Sequence, residues 1–105
     1  MNTAAKGRRN EHRSMAIYRA LGFEVLRSAG SKGAWDFVAI SGHNVVLVQV
    51  KSGAWPGPAE RAKLAAFRTP LNCNREIHRW RPNARRPDIR VWNGVEWRDE
   101  FANAA

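Results

Sequence analysis

Cysteine occurs once, at Cys73. That excludes an internal disulfide and a zinc site built on cysteines. Acids are scarce: nine Asp and Glu stand against eighteen Lys and Arg, a formal net charge of +9. Long apolar runs are missing, and none approaches the roughly 20 residues a membrane span needs. The opening MNTAAKGRRNEHRS is charged and lacks the apolar segment of a secretory signal. The expectation is therefore a cytoplasmic protein with no membrane partner. Repeats, low-complexity segments and linkers are also lacking. With 105 residues, one domain spanning 1–105 is expected, long enough to bury a core without staples. Residues 1–6 and 102–105 read as frayed ends.

The charge that is present is one-sided. An excess of this size on one short domain implies a polyanionic partner, and nucleic acid is the commonest. Arginine outnumbers lysine 14 to 4, which suits forked contacts to phosphate. The bland alternative is a solvated basic surface.

Periodicity gives a coarse map. Residues 8–21 read as a helix stopped by Gly22, with Met15, Ile17, Tyr18 and Leu21 as its apolar stripe and Glu11 at the stripe's edge. FEVLRS (23–28) alternates like a strand, and AGSKGA (29–34) is a loop. WDFVAI (35–40) and VVLVQVK (45–51) are strands joined by SGHN, a hairpin signal. GAWPGP (53–58) is a loop and 59–68 a helix. Strands at 75–82 and 88–92 follow, and NG turns the chain into VEWRDEF. The order is α-β-β-β-α-β-β, with a third final strand possible at VEWRDEF, an α/β pattern.

Three polar residues interrupt the apolar hairpin. Closing it over SGHN with Ile40 opposite Val45 makes opposed residues sum to 85, so Asp36 faces Gln49. Opposed residues share a face, with Cβ atoms about 4.5–5.5 Å apart, and Lys51 lies on that face two residues on. Phe37, Ala39, Val46, Val48 and Val50 go to the other face, toward the core. A carboxylate and an amide oxygen so placed can share a hard divalent cation, and magnesium takes one or two carboxylates plus waters and phosphate oxygens. An ammonium beside them can orient water or steady charge on phosphorus. The competing structural reading is an Asp36–Lys51 ion pair with Gln49 beside it. Arg8, Arg9 and Arg13 flank Glu11 and are placed to reach phosphates.

These residues resemble the PD-(D/E)XK nuclease superfamily, and within it the archaeal-type Holliday junction resolvases and their phage relatives. The resemblance runs from KGRRNEHRSMAIYRALGFEVLRSAGSKGAWDFVAI through VVLVQVKSG, about half the chain. A basic Lys6-Gly7 precedes a helix bearing an acid, Glu11. GFEVLRSAGSKG matches a strand and a serine-containing loop, and Asp36 and Lys51 match the acid and lysine of two successive strands. The resemblance implies a restriction-endonuclease-like fold with a central mixed sheet flanked by helices. It implies magnesium, with manganese as a substitute, held by Glu11, Asp36, Gln49 and the Val50 carbonyl, with Lys51 assisting the attacking water. It implies DNA contacts from Lys6, Arg27, Ser31 and Lys32. Its activity would be endonucleolytic cleavage of four-way junctions by a homodimer in a prokaryotic cytoplasm, or in a host's if phage-encoded. Two residues depart from the pattern. Trp35 stands where proline is usual, and Gln49 where glutamate is usual, which removes one negative charge.

Two rival functions stay open: a nuclease of the same fold acting on duplex, flap or single strands, and a DNA-binding module without catalysis, which Gln49 favours. Elsewhere, His12, His43 and His78 show no metal-binding spacing, and Cys73 has no evident base. Trp55, in the loop after Lys51, is placed to stack on a base, to meet a partner subunit or to plug the core. The apolar side of VVLVQV and the segments around Trp55 and Trp92 are candidates for a dimer interface. Arg79, Arg81, Arg85 and Arg86 read either as contacts to a DNA arm or as solvated charge.

Overall fold

The computed structural model describes residues 3–28 and 33–100. Helix α1 (Thr3–Ala20) leads to β1 (Glu24–Arg27), β2 (Phe37–Ile40) and β3 (Val45–Ser52). Helix α2 (Pro58–Ala66) follows, then β4 (Cys73–Trp80), β5 (Asp88–Trp92) and β6 (Trp97–Asp99). The six strands form one mixed sheet in sequence order, antiparallel throughout except for the parallel pair β3–β4. A parallel neighbour needs a crossover, and α2 supplies it.

The hairpin has the register expected from sequence. Phe37 pairs with Val48 and Ile40 with Val45. Its turn is closed by the Ser41 N–H donating to the Asn44 carbonyl at 2.9 Å, and by Ser41 Oγ accepting from His43 and Asn44 N–H. Alternation along β3 then sorts the core into two layers. Val46 and Val48 pack with Phe37, Ala39, Met15 and Tyr18 under α1, and Leu47 packs with Trp35, Leu64 and Ile77 under α2. The helices therefore cover opposite faces.

Three expectations need correction. Residues 3–6 are helical, so α1 starts five residues before Arg8. The second correction is rotational: Leu21 is 68% exposed, while Asn10 and Ser14 are buried. The helix ends before Leu21 can turn inward. The Gly22 N–H bonds to the Arg19 carbonyl and the Phe23 N–H to that of Tyr18, with Gly22 at φ +90°, a conformation glycine adopts without Cβ strain. The buried positions Asn10 and Ser14 find polar partners on β3 and β4. Third, the apolar side of VVLVQV is not a dimer surface, because Val46 and Val48 are in the core under α1. The expected fraying at 102–105 lies outside the described residues.

Candidate active site

One end of the sheet gathers the polar residues. β1 finishes there at Arg27, β2 starts just after Asp36, and β3 finishes just after Lys51. Asp36 is held from three directions. Its N–H donates to the Val48 carbonyl at 2.9 Å, and its carbonyl accepts from Ser28 N–H at 2.8 Å. Its Oδ2 accepts from Val50 N–H at 2.7 Å. The paired ladder of β2 and β3 ends at Phe37 with Val48; the Asp36 N–H turns back to the Val48 carbonyl, so the ladder stops short of the expected Asp36–Gln49 pair. The side chain is thus fixed by backbone, which leaves Oδ1 without a protein donor among the described residues.

The electrostatics around Asp36 are unbalanced. Burial pushes its carboxyl up from the usual carboxylate range and the Glu11 carboxylate pushes the same way, against the Val50 N–H, Lys51 and Arg27. Glu11, Lys51 and Arg27 therefore all lie close enough to act on Asp36. Glu11 Oε1 sits 3.3 Å from Arg27 Nε. The Asp36–Lys51 ion pair of the competing structural reading is not the contact that forms. Lys51 Nζ lies 2.9 Å from Glu60 Oε1 in the first turn of α2.

This donor set fits a hard divalent cation of modest charge demand. No group of three or more His, Cys, Asp or Glu assembles among the described residues, so a soft-metal cage is not available. Magnesium needs fewer protein ligands. The Glu11 carboxylate acts on Asp36 in the sense of like charges, a repulsion that a cation between them would relieve.

The basic residues divide. Arg8 and Arg9 are exposed on α1, and Lys6 is half-buried. Arg13 is engaged internally: its guanidinium lies 3.9 Å from the Trp80 ring centroid, and Nη2 donates to the Ala84 carbonyl at 2.5 Å. Ser31 and Lys32 fall outside the described residues. His12 and His43 are exposed. Trp55 plugs the core: it packs against the cluster of Trp35, Leu64 and Ile77, with the guanidinium groups of Arg79 and Arg90 over its ring at 4.7 and 4.0 Å.

Two features escaped sequence reading. One is Glu60, whose only signal was an acid in the first turn of the crossover helix. The other is a buried network joining α1 to β4. His78 Nδ1 lies 3.0 Å from Ser14 Oγ and His78 Nε2 3.0 Å from Glu76 Oε1. Tyr18 OH donates to Glu76, and Trp80 Nε1 donates to Ser14 Oγ at 2.8 Å. Asn10 Nδ2 donates to Ser52 Oγ at 2.6 Å one turn earlier. The network fixes α1 over β3 and β4 and so sets where Glu11 points. Its signal was the spacing Asn10, Ser14, Tyr18 on a helix against Glu76, His78, Trp80 on a strand.

Comparison with known proteins agrees with this geometry. No curated protein sequence matches. Among solved structures the chain is similar to Hjc from Archaeoglobus fulgidus, described as a Holliday junction resolvase from an archaeal hyperthermophile, solved at 1.6 Å. The TM-score is 0.62 at 23% identity, over 83% of this chain and 71% of that one, which shows a shared fold. The family model described as archaeal Holliday junction resolvase (hjc) matches residues 2–56. That is just over half the chain, and it includes Glu11, Asp36, Gln49, Val50 and Lys51. The chain thus belongs to the archaeal Holliday junction resolvase family of nucleases.

Proposed function

We propose that this protein cuts four-way DNA junctions by magnesium-dependent hydrolysis of phosphodiester bonds at the Asp36 centre, acting as a homodimer. The observation that carries the reading is the Asp36 carboxylate, locked by the Val50 N–H beside a second acid and a lysine at one sheet end. Asp36 and Glu11 would hold the metal, with oxygens from Gln49 and Val50. When bound, magnesium polarises a phosphate oxygen and makes water more acidic. The protein's own part is positional. Lys51, anchored by Glu60, sets an ammonium where negative charge develops during in-line displacement and where it can orient the attacking water. Arg8 and Arg9 bind the phosphate backbone. One chain builds one such centre, whereas resolving a junction takes two symmetric nicks, and a two-fold dimer supplies both.

A second reading rests on Gln49. Without the usual charge there, the domain would bind junctions and not cut them. The test is a labelled four-way junction and a linear duplex of equal length, incubated with magnesium, with manganese or with excess chelator. Junction cleavage in either metal and none in chelator supports the enzyme. Binding without cleavage in both metals selects the second reading.

A further inference from the structure

We propose that the β4–β5 turn, residues 81–87, is a second phosphate-binding site, engaging the duplex arm beside the cleaved bond through Arg85 and Arg86. The inference rests on the DNA-cutting role proposed above, and the turn lies beyond residues 2–56, where the family match ends.

Topology puts the turn at the right end of the molecule. Ser52 pairs with Trp80, and Gly53 N–H bonds to the Trp80 carbonyl at 2.9 Å, so β4 leaves the sheet where β3 does, next to Lys51. The step from β3 to β5 is two strand spacings, roughly 10 Å. That is about three base-pair steps along a duplex. A backbone seated at Asp36 and Lys51 would therefore reach the turn without bending away.

Charge pairing selects the two arginines. Asp88 pairs with both Arg79, at 2.6 Å, and Arg81, at 3.0 Å. Glu11 is taken by Arg27 and Glu60 by Lys51. Arg85 and Arg86 are exposed and have no acidic partner among the described residues. The free charge at this end is thus positive.

The turn is also built before DNA arrives. Ala84 N–H bonds to the Arg81 carbonyl at 3.1 Å, Asn83 takes the left-handed conformation at φ 61°, and Pro82 and Pro87 stiffen the flanks. Arg13 reaches across from α1 to the Ala84 carbonyl, stacked on Trp80. This strut joins the turn to the helix that carries Arg8 and Arg9. A fixed platform loses less entropy on binding than a floppy loop, and guanidinium forks suit phosphate.

The experiment is the salt dependence of binding to linear duplex and to a four-way junction, in chelator so that neither is cut. Each phosphate contact contributes about 0.9 to the slope of log affinity against log salt on B-form DNA. The double substitution R85A/R86A should flatten the duplex slope by about 1.8. R85K/R86K keeps the charge and should keep the slope. R19A/R68A removes the same charge from exposed positions outside the turn and should leave the slope at the wild-type value. An unchanged slope in R85A/R86A, or an equal flattening in R19A/R68A, overturns the proposal. Equal wild-type affinity for junction and duplex would count against the junction reading alone, since the duplex slopes still decide the turn.

Discussion

Asp36, the proposed catalytic carboxylate, illustrates how a buried charge costs the fold that holds it. Its carboxyl is pushed up by burial and by Glu11. The folded state therefore binds this proton more tightly than the unfolded chain does. Stability from this group falls as pH rises from the unfolded carboxylate range through the folded value, and the penalty persists at every higher pH. Asp36→Asn removes the charge and keeps an oxygen for the Val50 N–H. In chelator at neutral pH, its melting temperature should exceed that of the wild type, with the gap closing in acid where both side chains are neutral. Magnesium should raise the wild-type value only, because a ligand stabilises the state that binds it. A wild type that melts higher than Asp36→Asn in chelator at neutral pH would contradict this picture. Gln49 is the complementary case. Restoring a charge by Gln49→Glu should lower the magnesium concentration giving half-maximal cleavage, since ligand charge tunes affinity for hard cations. A cleaving wild type whose metal titration matches that of Gln49→Glu would place Gln49 away from the ion. The β2–β3 pairing that ends beside Asp36 was visible in the sequence because a hairpin's arithmetic is local. Glu60 was not, because a partner that arrives across a crossover leaves no mark on periodicity.

At the scale of elements, the hairpin and the helix behave differently. The β2–β3 register follows from a four-residue turn and one apolar face, and both are legible within a single short segment of sequence. The buried face of α1 follows from what lies beneath it. Apolar spacing picked Met15 and Tyr18 correctly but missed Asn10 and Ser14, whose burial is favourable only because Ser52, His78 and Trp80 meet them. A polar group is buried at little cost when it is bonded and at high cost otherwise. Tyr18 shows the stake. Burial, then the Glu76 carboxylate, raise its phenol far above the ordinary value, so it stays a donor at any working pH. Tyr18→Phe leaves Glu76 short of that donor and should destabilise the fold by about 1–3 kcal/mol in a urea titration. A loss near zero would mean that water replaces the phenol and that the network does not hold α1 in place.

For the whole molecule, the basic charge and the single centre must be reconciled with a substrate that needs two cuts. Phosphate contacts position a protein without selecting a structure, so in the proposed dimer the preference for a junction comes from the spacing of two centres. Sedimentation should accordingly give twice the 11.9 kDa chain mass. The most direct measurement follows nicks on a four-way junction labelled on all four strands, comparing wild type with Asp36→Asn in magnesium, alongside binding of both to the same junction. Paired nicks at symmetry-related positions are expected from the wild type. No nicks and largely intact binding are expected from Asp36→Asn. Nicking by Asp36→Asn, or equal wild-type cleavage of linear duplex, would contradict the proposed function.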